Sequence, residues 1–297
     1  PAMPSTYAHF VFGKRVFHRQ PEEIRRLICR HKDLYYIGLH GPDILFYYKP
    51  LSANSVNSVG FGQHEKPASE FFLHSLQVLE KARHFAKKRP EAEALPDEML
   101  SYILGFLCHF ALDSSCHGYI ENKIHTSGVT HTEIEVEFDR YLMIKDGLDP
   151  IRHKLTEHIH PAMDSAAVIA PFFQGVSSRQ VFKALRSMIF YNNLLVAPHE
   201  WKRLAIRTIL QLTGNYREMH GLVVNGKANP LCADSCIRLE KLMDKAVERC
   251  LSLTANLMEA EESGDCLDPY FDKTFGPEAD WRSIPVYSLK EELKYEV

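Results

Sequence analysis

Long apolar runs are the first thing this 297-residue chain lacks. No stretch of 18 or more apolar residues occurs, so no membrane span is expected. The opening residues, Pro1-Ala2-Met3-Pro4-Ser5-Thr6, show no basic segment followed by an apolar run, so they do not read as a secretory signal and a cytoplasmic setting is expected. Neither sign of charge is in excess: 35 Lys and Arg stand against 38 Asp and Glu, a formal charge of −3. That balance argues against a protein held to nucleic acid by bulk electrostatics. No Gly-x4-Gly-Lys-Ser/Thr loop is present, which excludes a nucleotide P-loop. Gly/Ser linkers, internal repeats and low-complexity tracts are also missing, so one domain over residues 1–297 is expected. Cysteine is sparse and odd in number, seven residues scattered from Cys29 to Cys266, as in a protein with free thiols. Cys232 and Cys236 can share one helix face, but no second pair accompanies them and they are read as thiols, not zinc ligands.

Strand signals are scarce and helical periodicity is common. Pro21 followed by two acids starts a helix over 21–31. Residues 66–89 place Phe71, Phe72, Ser75, Leu76, Leu79, Ala82 and Phe85 on one face. A third helix begins after Pro96 and is apolar nearly all round through Leu104, Phe106, Leu107 and Phe110, as a helix buried on several sides should be. Thr130-His131-Thr132-Glu133 has capping-box spacing and starts a fourth, closed by Asp146-Gly147. Further helices are expected at about 164–174, 178–196, 199–213 and 235–262. From 265 onward the chain mixes proline, glycine and aromatics without periodicity and should wrap the surface. The expectation is an all-α, single-domain multi-helix bundle, with candidate ligands in about 5–148 and a helical remainder plus irregular tail over 149–297.

What is plentiful is histidine: 16 residues, about one in nineteen. On the central helix His109, Asp113 and His117 follow at intervals of four, which puts them on one face if the helix runs that far. His131 and Glu135 repeat the spacing on the next helix. Two helices that each present a His and a carboxylate can build a metal centre inside a bundle. Nitrogen and oxygen donors suit zinc or another borderline divalent metal. No Lys or Arg lies between Met99 and Asn122, so a carboxylate buried there has no cationic side chain beside it, and a metal would supply that charge. The turn Gly38-Leu39-His40-Gly41-Pro42-Asp43 is suited to projecting His40 or Asp43 inward. His64 stands where a loop meets a helix start, and His9 lies in an apolar first element.

The order His9, Asp43, His64, His109-x3-Asp113, His117, His131-x3-Glu135 resembles the zinc-dependent phospholipase C family of bacteria, over roughly the first half of the chain. The paired His-x3-Asp and His-x3-Glu helices carry most of the likeness. The resemblance implies an all-helical enzyme with a cluster of two or three zinc ions that hydrolyses the glycerol-side phosphodiester of a phospholipid or lipid-like phosphoester. It also implies that Asp43, His64, His109 and Asp113 hold one zinc and that His117, His131 and Glu135 hold a second. His9 would hold a third with Asp113 as the bridge, and Asp43 would double as a general base. The secreted members add an N-terminal tryptophan to the third site; no tryptophan stands near His9, and His40 is a spare candidate. Ile44 follows Asp43 where those lipases carry an aromatic that holds choline, so choline specificity is not implied.

Two other readings share these residues: a zinc-dependent single-strand nuclease with a similar site, and a metal-binding protein of this fold without turnover. His158, His160, His199 and His220 fall outside the motif and are read as surface or supporting residues.

Overall fold

The computed structural model describes residues 5–196, 224 and 226–296. Every regular element among them is helical. In chain order these are α1 (Thr6–Arg19), α2 (Glu22–Arg30), α3 (Lys32–Gly38), α4 (Ser55–Glu65), α5 (Ala68–Ala86), α6 (Leu95–Ser127), α7 (His131–Lys145), α8 (Met163–Ile169), α9 (Ser178–Leu195), α10 (Ala233–Ser263) and α11 (Leu289–Glu292). A 3-10 helix, Gly41–Tyr47, joins the α3 end to the loop before α4. The expected helix at 199–213, with His199 and His220, lies outside the described residues.

The 33-residue α6 is the axis of the bundle, packed against α1, α3, α5 and α10. Proline in its first turn with Asp97 and Glu98 starts it, and Gly128 at φ 72° ends it in the left-handed conformation. It therefore continues well past His117. Within Pro90–Ser127 it is long and apolar enough to cross a membrane, but 89% of its most apolar window is buried inside the protein. The apolar surface of α6 is thus covered by Tyr35, Phe72, Phe271 and other buried side chains rather than by lipid.

Helices α3 and α6 approach closely because both carry glycine at the crossing. A Cβ on Gly105 would stand 2.2 Å from the Tyr35 carbonyl oxygen, and one on Gly38 would stand 2.4 Å from that of Tyr102. Backbone cannot move aside as a side chain can. Gly105→Ala should therefore cost roughly 3 kcal/mol through overpacking, lowering Tm by about 6–12 °C. Gly62→Ala in α4 meets nothing within 4 Å and should be neutral or slightly stabilising, so paired melts check the contrast.

Three local expectations change. His64, expected where a loop meets the start of the next helix, lies in the last turn of α4, which Asn54 starts by accepting from Val56 N–H and Asn57 N–H. Phe85, assigned to the buried face of α5, is half exposed, because that face ends with Ala82 before the helix terminates. The tail does more than wrap the surface: Phe271 and Phe275 are completely buried. All seven cysteines are free, with Cys232 and Cys236 both buried.

Candidate metal centre

Four elements deliver the site. The i, i+4, i+8 spacing on α6 places Asp113 one turn beyond His109 and one turn before His117, a span of ~12 Å along the axis. Helix α7 brings His131 and Glu135 against its far end. Its start is held by a reciprocal cap, Glu133 N–H donating to Thr130 Oγ1 at 3.3 Å and Thr130 N–H to Glu133 Oε2 at 3.0 Å. The 3-10 helix supplies Asp43, and the last turn of α4 supplies His64. A left-handed Gly41 (φ 49°) lets the turn pass beneath His109; a Cβ there would stand 2.3 Å from the imidazole ring.

Helix α1 supplies His9, and its N-terminus is held by Asp139, a residue outside the motif. Asp139 on α7 accepts from Ser5 Oγ at 2.5 Å, from Tyr7 N–H at 3.1 Å and from Ala8 N–H at 2.7 Å. It thus caps one helix from another. Burial pushes its carboxyl up to about 6, against those three hydrogen bonds. Asp139 extends the His131-x3-Glu135 interval by one more turn, a signal the i, i+4 pattern could have disclosed.

Asp113 stands at the centre. Its Oδ1 lies 3.2 Å from His9 Nε2, and its Oδ2 lies 3.1 Å from His109 Nε2 and 4.0 Å from His64 Nε2. Asp43 reaches His64 Nε2 at 2.9 Å with one oxygen and His109 Nε2 at 3.6 Å with the other. On the far side Glu135 Oε1 lies 3.0 Å from His131 Nε2 and 3.8 Å from His117 Nε2. Among the described residues, three sets each bring their donor atoms within 4.8 Å of one another: His9, Asp43 and His109; His64, His109 and Asp113; and His117, His131 and Glu135. Six of these eight side chains are more than four-fifths buried; His64 is slightly more open and His131 the most open, so solvent reaches the centre beside α7.

Three imidazoles share one orientation. The Nδ1–H of His109 donates to Leu39 O at 3.3 Å, that of His64 to Gly60 O at 2.9 Å, and that of His117 to Phe275 O at 2.5 Å. A carbonyl can only accept, so Nδ1 carries a proton in each ring, and Nε2 is the nitrogen that faces the carboxylates, where it holds either a second proton or a metal. This is how metal-binding histidines are oriented by their surroundings.

The electrostatics agree with a cation site. Burial disfavours charge at Asp113, yet His109 and His117 outweigh it and hold the carboxyl well below the usual range. Burial likewise opposes charge on His117, but Asp113 and Glu135 lift it to about 10. Glu135 is pulled down to about 2 by His131 and His117 despite its burial. Anionic oxygens dominate this pocket, and a divalent ion competes for the same Nε2 lone pairs as protons do. His109 Nε2 and Glu135 Oε2 are buried without a well-aligned hydrogen bond, an expensive condition in a packed core that coordination to a metal would relieve. The donor set of imidazoles and carboxylates fits zinc.

All eight sequence candidates therefore meet at one place. His40 does not join them: its Nε2 lies 2.7 Å from His158 Nε2, and no donor set among the described residues contains it. His158 stacks on Phe10 with ring centroids 4.1 Å apart. Burial drives His40 well below the ordinary histidine range and His158 down to about 3, so the pair is neutral. His160, by contrast, is exposed beside Asp33.

A family model described as zinc dependent phospholipase C matches residues 8–184, more than half of the chain and a span that contains all eight donors. No curated protein and no solved structure matches.

Proposed function

As the chain belongs to the zinc-dependent phospholipase C family, we propose that it is a hydrolase that cleaves a phosphodiester bond of a phospholipid or lipid-like phosphoester, using two or three zinc ions. The observation that carries this reading is the chain of overlapping donor sets in which His109 belongs to two groups and Asp113 touches imidazoles of both. Asp43, His64, His109 and Asp113 would hold one ion and His117, His131 and Glu135 a second. His9 with Asp113 would hold a third. Bound ions supply Lewis acidity toward the non-bridging phosphate oxygens and positive charge for the departing oxygen.

The remaining work belongs to the chain. Asp43 is 2% exposed and its carboxylate lies against His64 and His109, so a proton taken from an attacking water would be held at an oxygen fixed by those imidazoles. The Nδ1–H to carbonyl bonds at His64 and His109 keep both rings from rotating as substrate enters. The more open side at His131 gives a phosphate access without exposing the buried Asp43–His109 side. We further propose a cytoplasmic location, a reading supported by the seven free thiols.

Elemental analysis of the purified protein, joined to hydrolysis of phospholipid vesicles and of a water-soluble phosphodiester, tests the proposal. Two or three zinc equivalents with release of a phosphorylated headgroup are expected. Cleavage of single-stranded DNA with intact phospholipid would assign the nuclease reading instead, and full metal content with no ester hydrolysed would leave a binding protein.

A further inference from the structure

The family match ends at residue 184, yet a fully buried side chain 91 positions later touches the candidate centre. Phe275 has 0% exposure and sits with ring centroids 5.4 Å from His64, 5.9 Å from His109 and 5.2 Å from Phe110. Its carbonyl oxygen receives the Nδ1–H of His117 at 2.5 Å. That bond decides which nitrogen of His117 is free. With Nδ1 occupied, only Nε2 faces Glu135 and His131, and His117 enters its donor set through that atom.

The carbonyl is held in place from both sides. Ala68 N–H, at the start of α5, donates to Lys273 O at 2.9 Å, and Ser69 Oγ donates to Asp272 Oδ1 at 2.9 Å. Phe271 packs on Phe72 and Phe110 with centroids 4.8 and 5.9 Å away. Downstream, Asn122 on α6 donates its amide to Ile284 O at 2.7 Å. Farther on, Arg238 on α10 pairs with the fully buried Glu292 of α11 at 2.8 Å. The segment from Asp268 to Glu292 is thus a strap fastened to α5, α6 and α10 with Phe275 at its inner turn.

We infer that this C-terminal strap completes the metal centre, and that Phe275 is a positioning residue: its carbonyl fixes the tautomer and angle of His117 while its ring backs His64 and His109. The inference rests on the reading of His117 as a ligand. A backbone carbonyl acceptor of this kind sets ligand orientation, and its loss weakens metal binding without removing a donor.

Long-range proton–nitrogen NMR of the zinc-loaded, full-length protein labelled at histidine tests it, with His117→Gln assigning the signals. The expected result is a His117 ring protonated at Nδ1 and metal-shifted at Nε2. A metal-shifted Nδ1 with the proton on Nε2 would overturn the inference. If neither nitrogen of His117 is metal-shifted, the ligand reading fails instead, which separates the two. Phe275→Ala supplies a second measurement. In chelator competition one zinc equivalent should be held about 10–100-fold more weakly, with affinity restored in Phe275→Leu. A folded Phe275→Ala protein that keeps its full zinc affinity would equally count against the strap. If that variant does not fold, the NMR result on the unaltered protein decides alone.

Discussion

Asp113→Asn should lose zinc and turnover together. Its two oxygens serve different neighbours, Oδ1 at 3.2 Å from His9 and Oδ2 at 3.1 Å from His109, with His64 and His117 each 4.0 Å from Oδ2. Asparagine keeps the shape but carries no charge, and its amide nitrogen would turn N–H donors toward an imidazole lone pair or a cation. Both outcomes oppose a metal. Since the ions would contribute several kcal/mol of transition-state stabilisation, hydrolysis should fall by about a thousandfold or more. Elemental analysis should show at least one equivalent fewer than in the unaltered protein. Folding should survive, because the apolar envelope of α6 around Phe106 and Phe110 does not involve Asp113. An Asp113→Asn protein with undiminished zinc and normal turnover would remove this residue from the centre.

The second large effect is on stability. Three carboxylates and five imidazoles are gathered into one buried locus, and the unfolded chain has no such arrangement. Zinc should therefore bind the native state almost exclusively. At a free concentration about a thousand times Kd such a ligand stabilises by ~4 kcal/mol. Stripping the protein with a strong chelator should lower Tm by roughly 8–16 °C, and zinc should restore it. Magnesium and calcium should not restore it, since five of the eight donors are nitrogens and those ions prefer oxygen. Scanning calorimetry with and without chelator checks this, and the shift should shrink in Asp113→Asn. A Tm unmoved by chelation would contradict the cluster, whatever the activity.

Much of this arrangement was legible beforehand because its core is local. The intervals from His109 to Asp113 to His117, and from His131 to Glu135, are properties of a helix and need no tertiary information. Thr130 and Glu133 forecast the start of α7. Asp43 and His64 were harder, since a turn and a helix end carry no periodicity, and only the family likeness linked them to α6. His40 shows the limit of residue type as a guide. It lies three residues from Asp43 and is completely buried, yet α3 ends so that its ring meets His158 from a distant loop rather than the carboxylates.

Taken alone, the sequence determined the helical class, the buried character of α6 and the four-residue spacing that gives two helices a His-and-carboxylate face each. Hydrogen bonding and side-chain placement within one helix repeat every 3.6 residues, so a single stretch of chain suffices to state them. The tertiary structure decided the rest. It set His9 against Asp113 across 104 residues, it capped α1 with Asp139 from another helix, and it brought the Phe275 carbonyl to His117. Such contacts arise from how whole elements pack. The last one uses a backbone oxygen that every residue possesses, so no residue identity could have announced it.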